Sequence, residues 1–114
     1  MTIYKDWIRK GSHIISVGKK FVSEHEIDPE IPQICTVVAT DSKEQLMNYP
    51  EEHFMAKSKN GDSIVDLSRI ISSEIPGRKG KDDITLFLSV GLSGTEVMIA
   101  NEIINRIIAE RLKN

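Results

Sequence analysis

Three short apolar segments recur along the chain, and each leads into a glycine or a short polar residue. They read HIISVG at 13–18, ICTVVAT at 34–40 and ITLFLSV at 84–90, and they are rich in the β-branched residues that favour buried strands. Segments with helical periodicity follow the second and third of them. The alternation of strands with helices predicts an α/β domain with about three mostly parallel strands and flanking helices.

Capping signals and prolines indicate where the helices begin and end. Ser42 followed by Gln45 has the spacing of a capping box, and Pro50 ends that helix. A further helix is predicted from about Ser63 to Glu74. The last and longest helix is predicted from Ser93, with Glu96 at the capping-box position, to about Leu112. Its apolar face comprises Val97, Ala100, Ile103, Ile104, Ile107 and Ile108.

Length and charge restrict the class of protein. A chain of 114 residues predicts a single domain over residues 1–114. A net charge of −2 without a basic stripe argues against nucleic acid as a partner, and no apolar run is long enough for a membrane span. The single cysteine, Cys35, fits a reducing cytoplasm. Three scattered histidines give no metal-ligand spacing, so we expect no metal site.

Two strand-end loops are candidate ligand sites. The turn SVGLSG at 89–94 follows the third strand, and ligands of open parallel sheets bind at the carboxyl ends of strands. The alternative is that the two glycines only turn the chain. The loop SVGKK at 16–20 follows the first strand, where Lys19 and Lys20 could meet a phosphate or a carboxylate, or could simply be solvated. His53 lies in a polar segment and is also expected to be solvated.

Several motifs resemble the ornithine cyclodeaminase/μ-crystallin family, which includes archaeal alanine dehydrogenases and imino-acid reductases. DWIRKGSHIISVG, HEIDPEI and VVATDSKEQ resemble family segments in the same order and at similar spacing. The closing stretch IPGRKGKDDITLFLSVGLSGTEVMIAN carries the most specific resemblance. The matches cover only the C-terminal third of a full-length member. This implies the C-terminal half of a Rossmann-like NAD(P)-binding domain with a long C-terminal helix, while the family's G-x-G-x-x-G turn lies in the portion that has no counterpart here.

The resemblance also implies residue roles. Val17, Gly18 and Lys19 match the strand-end loop that passes the cofactor, and Ser89 matches a residue beside the nicotinamide. Val90 would contact the substrate.

Lys20 stands at the position of the family's catalytic aspartate. A lysine does not take over an aspartate's proton transfer at neutral pH without a large pKa shift, so this departure argues against cyclodeamination.

The sequence and its family resemblance indicate two alternative functions from different classes. The first is the C-terminal segment of an amino- or imino-acid oxidoreductase that uses NAD or NADP, acts on a small amino or imino acid, and is inactive as an isolated chain. The alternative is a non-catalytic module for dimerisation or interaction. Three strands with free edges and an apolar helix face predict that the chain associates, either with itself as a homo-oligomer or with the N-terminal segment that it lacks.

Overall fold

The computed structural model of the chain describes residues 2–56, 63–92 and 94–112. A 3-10 turn at Lys5–Trp7 precedes the first strand. The other elements, in chain order, are β1 (His13–Ser16), α1 (Ile31–Ile34), β2 (Val37–Thr40), α2 (Lys43–Met47), β3 (Val65–Asp66), α3 (Leu67–Ile71), β4 (Thr85–Leu88) and α4 (Thr95–Arg111). The prediction of an α/β fold with a long C-terminal helix is confirmed.

The sheet has four parallel strands in the order β1-β4-β2-β3. The last strand in the chain therefore lies between the first and the second. Ser16 of β1 and Thr40 of β2 both pair with Leu88 of β4, so three strands end at the same level. This shared carboxyl edge positions the loops that the sequence singles out.

The fourth strand was missed by the sequence-based prediction. In place of one helix from about Ser63 to Glu74, the region holds β3 and the shorter helix α3. Val65 and Asp66 pair with Ala39 and Thr40, and a two-residue strand carries no alternation that a periodicity search could detect. The Asp66 carboxylate also accepts a hydrogen bond from the Lys43 amide at 2.7 Å, which ties β3 to the start of α2.

The second strand is shorter than predicted. The sequence places its start at Ile34, but Ile34 ends α1 and the strand begins at Val37. Pro32 lies within the first turn of α1, where the missing amide hydrogen of proline has no intrahelical partner to lose. The prediction of α2 is confirmed, because the Ser42 hydroxyl accepts a hydrogen bond from the Gln45 amide at 3.2 Å.

The two faces of the sheet differ in cover. One face is buried and forms the core together with Ile27, Ile31, Leu46 and Met55. The sheet residues on that face are Ile14, Ser16, Val38, Thr40, Leu86 and Leu88. We call the opposite face, formed by His13, Ile15, Val37, Ala39, Thr85 and Phe87, the open face. Ile15 on the open face is 58% exposed, whereas Ala39 and Thr85 on the same face are buried, so this face is covered only in part.

Helix α4 extends away from the core. All of its residues, Thr95 to Arg111, are exposed. Its N-cap is Gly94 at φ 95°, in the left-handed region that favours glycine. The predicted start at Ser93 lies outside the described residues. Within the part of the chain that is described, no helix has both the length and the apolar character to cross a bilayer.

Candidate functional site

The two candidate loops lie side by side at the carboxyl edge of the sheet. Gly18 follows β1 and Ser89 follows β4, and these strands are neighbours. The Ser89 amide donates a hydrogen bond to the Ser16 carbonyl at 2.9 Å, which continues the pairing beyond the ends of the strands. The family resemblance assigns Gly18 and Ser89 to one cofactor site, and in the structure the loops that carry them follow adjacent strands at one edge of the sheet.

The turn after β4 is built around a carboxylate that the sequence analysis did not single out. Asp41, the first residue after β2, accepts hydrogen bonds from the amides of Val90 at 2.8 Å, Gly91 at 3.1 Å and Leu92 at 3.4 Å. Its Oδ2 also accepts from the Ser89 hydroxyl at 3.2 Å. The signal that could have found it is an aspartate directly after a buried strand.

The electrostatics of Asp41 follow from these contacts. Burial alone would raise the pKa of its carboxyl group, but the amides of Val90, Leu92 and Gly91 stabilise the charged form and the net pKa is lowered. Asp41 is therefore an internal anion at neutral pH.

A second carboxylate fills the loop after β1. Glu26 Oε1 accepts from the Ser16 hydroxyl at 2.6 Å and from the Gly18 amide at 2.7 Å. Burial would raise the pKa of Glu26, but the Ser16 hydroxyl and the Gly18 amide outweigh it, so the pKa is lowered. A Cβ atom at Gly18 would lie 2.1 Å from Glu26 Oε2, so any other residue at this position requires the end of the Glu26 side chain to move.

The two lysines of this loop have different surroundings. Lys19 is exposed and forms an ion pair with Glu24 at 2.5 Å. Lys20 is only 5% exposed, and its ammonium group donates to the Gly18 carbonyl. Burial lowers the pKa of Lys20, while the charges of Glu26 and Asp41 oppose that shift. Of the two alternatives for these lysines, simple solvation does not hold for Lys20, whose catalytic role stays a prediction.

Val17 and Val90 occupy opposite kinds of environment. Val17 is 74% exposed beside Gly18, so its side chain is available to a ligand. Val90 is 8% exposed and packs in the core. Its carbonyl accepts from the Tyr49 hydroxyl at 2.7 Å. A substrate contact of Val90 in this arrangement would have to use its backbone.

His53 is buried rather than solvated, contrary to the sequence-based expectation. It is 1% exposed, and its Nδ1 accepts a hydrogen bond from the Met55 amide at 3.0 Å. The proton of the neutral ring must therefore be on Nε2, which has no hydrogen-bond partner among the described residues. Burial, with a smaller contribution from the charge of Lys20, lowers the pKa of His53 to about 4.

The cavities lie beside the strand ends and on the sheet. A cavity of about 230 Å³ adjoins the first loop and is lined by Ile3, Ile15, Val17, Glu26 and Ile27. A cavity of about 560 Å³ covers part of the open face, between the sheet, α3 and Arg78. Ser89 lines neither of these two cavities.

Comparison with known proteins agrees with this geometry. Residues 1–111 match the profile of the ornithine cyclodeaminase/mu-crystallin family. The chain belongs to that family, and the resemblance drawn from its motifs is confirmed.

Two relatives have named activities. A Delta(1)-pyrroline-2-carboxylate reductase of Bacillus cereus is 28% identical over 110 residues, which are 91% of this chain and 33% of the relative. An alanine dehydrogenase of Archaeoglobus fulgidus is 28% identical over 99 residues, which are 83% of this chain and 30% of the relative. The chain thus spans about a third of the length of these relatives.

Solved structures show the same fold. The Delta(1)-pyrroline-2-carboxylate reductase of Thermococcus litoralis, in complex with NADH and L-proline, matches with a TM-score of 0.66 and 32% identity over 79% of this chain and 29% of that one. A probable ornithine cyclodeaminase of Bordetella pertussis matches with a TM-score of 0.74 over 96% of this chain and 37% of that one. At 19% identity, the second similarity shows the fold alone.

The contact between Gly18 and Glu26 leads to a first prediction. Gly18→Ala must displace the Glu26 carboxylate and break its bonds to Ser16 and Gly18, so we expect a loss of about 1–3 kcal/mol in the free energy of unfolding. In a Glu26→Ala background the same change should have little effect. Urea unfolding of the four variants at neutral pH measures the coupling.

Gly80→Ala is the matched control, because its Cβ would meet Asp83 at 3.5 Å, an ordinary contact. Additive effects of the Gly18 and Glu26 substitutions would contradict the assigned contact.

Burial of neutral His53 leads to a second prediction. Between pH 6.5 and about 4 the unfolded chain takes up a proton at this ring and the folded chain does not, so stability falls as the pH drops. From pH 7.5 to pH 5 we expect a loss of about 2 kcal/mol from this ring. Asp41 and Glu26 have lowered pKa values, so their contribution is lost only at more acid pH.

His53→Leu should remove most of this pH dependence in urea unfolding. Phe54→Leu, which changes the neighbouring buried ring and leaves His53 in place, should keep it. An unchanged slope in His53→Leu would show that the ring does not titrate as described.

Proposed function

We propose that this chain forms the nicotinamide-facing, C-terminal part of an NAD- or NADP-dependent oxidoreductase acting on a small amino or imino acid. The observation that supports this most is the placement of Gly18 and Ser89 at the carboxyl ends of adjacent parallel strands. That edge is where dinucleotides bind in doubly wound sheets. The named relatives and the structure with NADH and L-proline supply the reaction class.

The residues at this edge fit the nicotinamide end of the cofactor better than its phosphates. The amides of both loops already have carboxylate partners, Glu26 and Asp41, and a pyrophosphate would meet negative charge there. The exposed side chain of Val17 offers an apolar surface to one side of a ring. When bound, the reduced nicotinamide would supply a hydride to the carbon of a C=N bond, and the oxidised nicotinamide would accept a hydride from the carbon that bears the amine.

In this proposal each residue has a stated role. Val17 and Gly18 limit the position of the ring, and Ser89 holds its polar substituent. Lys19 is exposed on the same loop, and it would leave its ion pair with Glu24 to contact the rest of the cofactor. The Lys20 ammonium group donates a hydrogen bond to the Gly18 carbonyl, and it would act on the substrate only after turning toward the space between the two loops. A substrate contact of Val90 would use its carbonyl group, which also accepts a hydrogen bond from the Tyr49 hydroxyl.

The free edge of β1 bears on how the rest of the cofactor site could form. Its relatives are about three times as long, and β1 has a free edge among the described residues. A free edge of this kind can take up further parallel strands. We propose that strands of a preceding portion pair with β1 and complete the cofactor site, and that the isolated chain does not bind NADH tightly.

The test is NADH binding by the isolated chain and by a chimera. In the chimera, residues 1–111 replace the matching C-terminal third of the Bacillus cereus reductase. We expect no binding at micromolar NADH for the chain alone, and binding with reduction of Delta(1)-pyrroline-2-carboxylate for the chimera. Ser89→Ala in the chimera should weaken NADH binding about tenfold, because one hydrogen bond of about 1.4 kcal/mol is lost.

Ser72→Ala is the control, since Ser72 is exposed at the C-terminal end of α3, where its hydroxyl donates a hydrogen bond to the Arg69 carbonyl at 3.2 Å. Micromolar NADH binding by the isolated chain would contradict the need for a preceding portion. Equal affinities of the Ser89 and Ser72 variants would contradict the role of Ser89.

The alternative function, a dimerisation module, has its own support. The chain exposes 8084 Å² and has a radius of gyration of 16.9 Å. A compact chain of 12.8 kDa would expose about 6,300 Å² with a radius near 13 Å. An excess of about 1,800 Å² on each of two copies is in the range buried by obligate homodimers. Much of it lies on α4, whose exposed side chains include Val97, Met98, Ile99, Ile103, Ile104, Ile107 and Ile108.

Light scattering distinguishes this alternative. If α4 and the open face pair between copies, the chain should have at least twice the mass of 12.8 kDa, and the double substitution Ile104→Asp/Ile107→Asp should return it to the monomer. Ile71→Asp, at an equally apolar and more exposed site on α3, should leave the mass unchanged. A wild-type monomer at millimolar concentration would contradict self-association.

A further inference from the structure

The turn between β4 and α4 has the form of an anion cradle. Three consecutive amides, those of Val90, Gly91 and Leu92, point at one carboxylate. Gly91 has φ 75°, and a Cβ atom there would meet nothing within 4 Å, so glycine is needed for the backbone curvature rather than for space. Successive amides in a concave turn are a common phosphate- or carboxylate-binding arrangement. Here Asp41 occupies the cradle from within the chain.

Occupation by Asp41 fixes the direction of the Ser89 hydrogen bond. An ionised carboxylate can only accept, so the Ser89 hydroxyl must donate its proton to Asp41 Oδ2. The Ser89 oxygen then presents only lone pairs to the crevice. A ligand group that meets it must be a hydrogen-bond donor.

We propose that Asp41 is a positioning and specificity-determining residue that keeps anions out of the Ser89 turn and leaves Ser89 to accept a hydrogen bond from an uncharged donor. The inference rests on the proposed function for the identity of that donor, which is then the NH₂ group of the nicotinamide carboxamide. Asp41 itself does not touch the ligand.

The first half of the test uses the full chain without cofactor. Amide NMR signals of Val90, Gly91 and Leu92 are followed while inorganic phosphate is added. In the wild type we expect no saturable shift. In Asp41→Ala the three amides lose their acceptor, and we expect saturable shifts with phosphate and with formate, the latter returning the signals toward their wild-type positions.

Asp41→Asn keeps the size of the side chain and covers the case in which the alanine variant fails to fold. We expect phosphate to bind the Asp41→Asn variant more weakly than it binds the Asp41→Ala variant. Saturable phosphate shifts of these amides in the wild type, or none in either variant, would overturn the proposal.

The second half of the test uses the chimera and two cofactors. NADH is compared with its 3-acetylpyridine analogue, which has a methyl group in place of the carboxamide NH₂. We expect about a tenfold preference for NADH that disappears in Ser89→Ala and in Asp41→Asn. The control variant Ser72→Ala should keep it.

The two halves separate the possible failures. If the chimera binds neither cofactor, the proposed function fails while the phosphate result still decides the role of Asp41 in the turn. If the chimera binds both cofactors equally in the wild type, Ser89 does not accept from the carboxamide and the specificity role is wrong.

Discussion

β4 is hydrogen-bonded to β1 on one side and to β2 on the other, with Leu88 level with both Ser16 and Thr40. Everything at the candidate site depends on this register. It places Gly18, Ser89 and Asp41, which are far apart in the chain, at one edge of the sheet. A slip of one residue in any strand would exchange its core face and its open face, so the buried set that includes Ile14, Val38 and Leu86 specifies the register strongly.

The electrostatics of the edge follow from that geometry. Two carboxylates, Glu26 and Asp41, each accept backbone amides from a strand-end loop, and the buried ammonium of Lys20 lies near both charges. Internal anions of this kind stabilise the loops without a ligand. Because these carboxylates accept the loop amides, a ligand at this edge would meet hydroxyl and carbonyl groups instead. Such groups suit the uncharged nicotinamide end of a dinucleotide better than its phosphates.

The elements that could be predicted depend on residues that are close together in the sequence. Those that could not be predicted depend on contacts between residues that are far apart in it. β1 and β4, α2 and α4 all carried local signals, such as β-branched runs, the Ser42–Gln45 cap and a long apolar periodicity. β3 was missed because two residues are too few to show a pattern, and it forms only where β2 offers a partner. The burial of His53 was missed because Glu51 and Glu52 precede it in sequence, whereas in the fold its backbone pairs with that of Phe21, which lies far away in the chain.

The site was predictable only where its residues carry a signal in the local sequence. Gly18 and Ser89 could be found from the resemblance and from their places after strands. The carboxylates that organise them could not, because Glu26 lies 8 residues beyond Gly18 and Asp41 lies 48 residues before Ser89. No local rule connects such residues; only the strand order does. The apolar face of α4 carried a local signal too, and it predicted association; among the described residues, α4 is exposed along its whole length.

We propose that the nicotinamide end of the cofactor lies between the loop at Gly18 and the turn at Ser89, and a crystal structure of the chimera with NADH would show this position directly. We expect the ring beside Val17 and Gly18, its carboxamide nitrogen within hydrogen-bond distance of Ser89 Oγ, and the pyrophosphate away from both loops. A nicotinamide bound elsewhere, or a phosphate seated on the amides of Gly91 and Leu92 with Asp41 displaced, would contradict it.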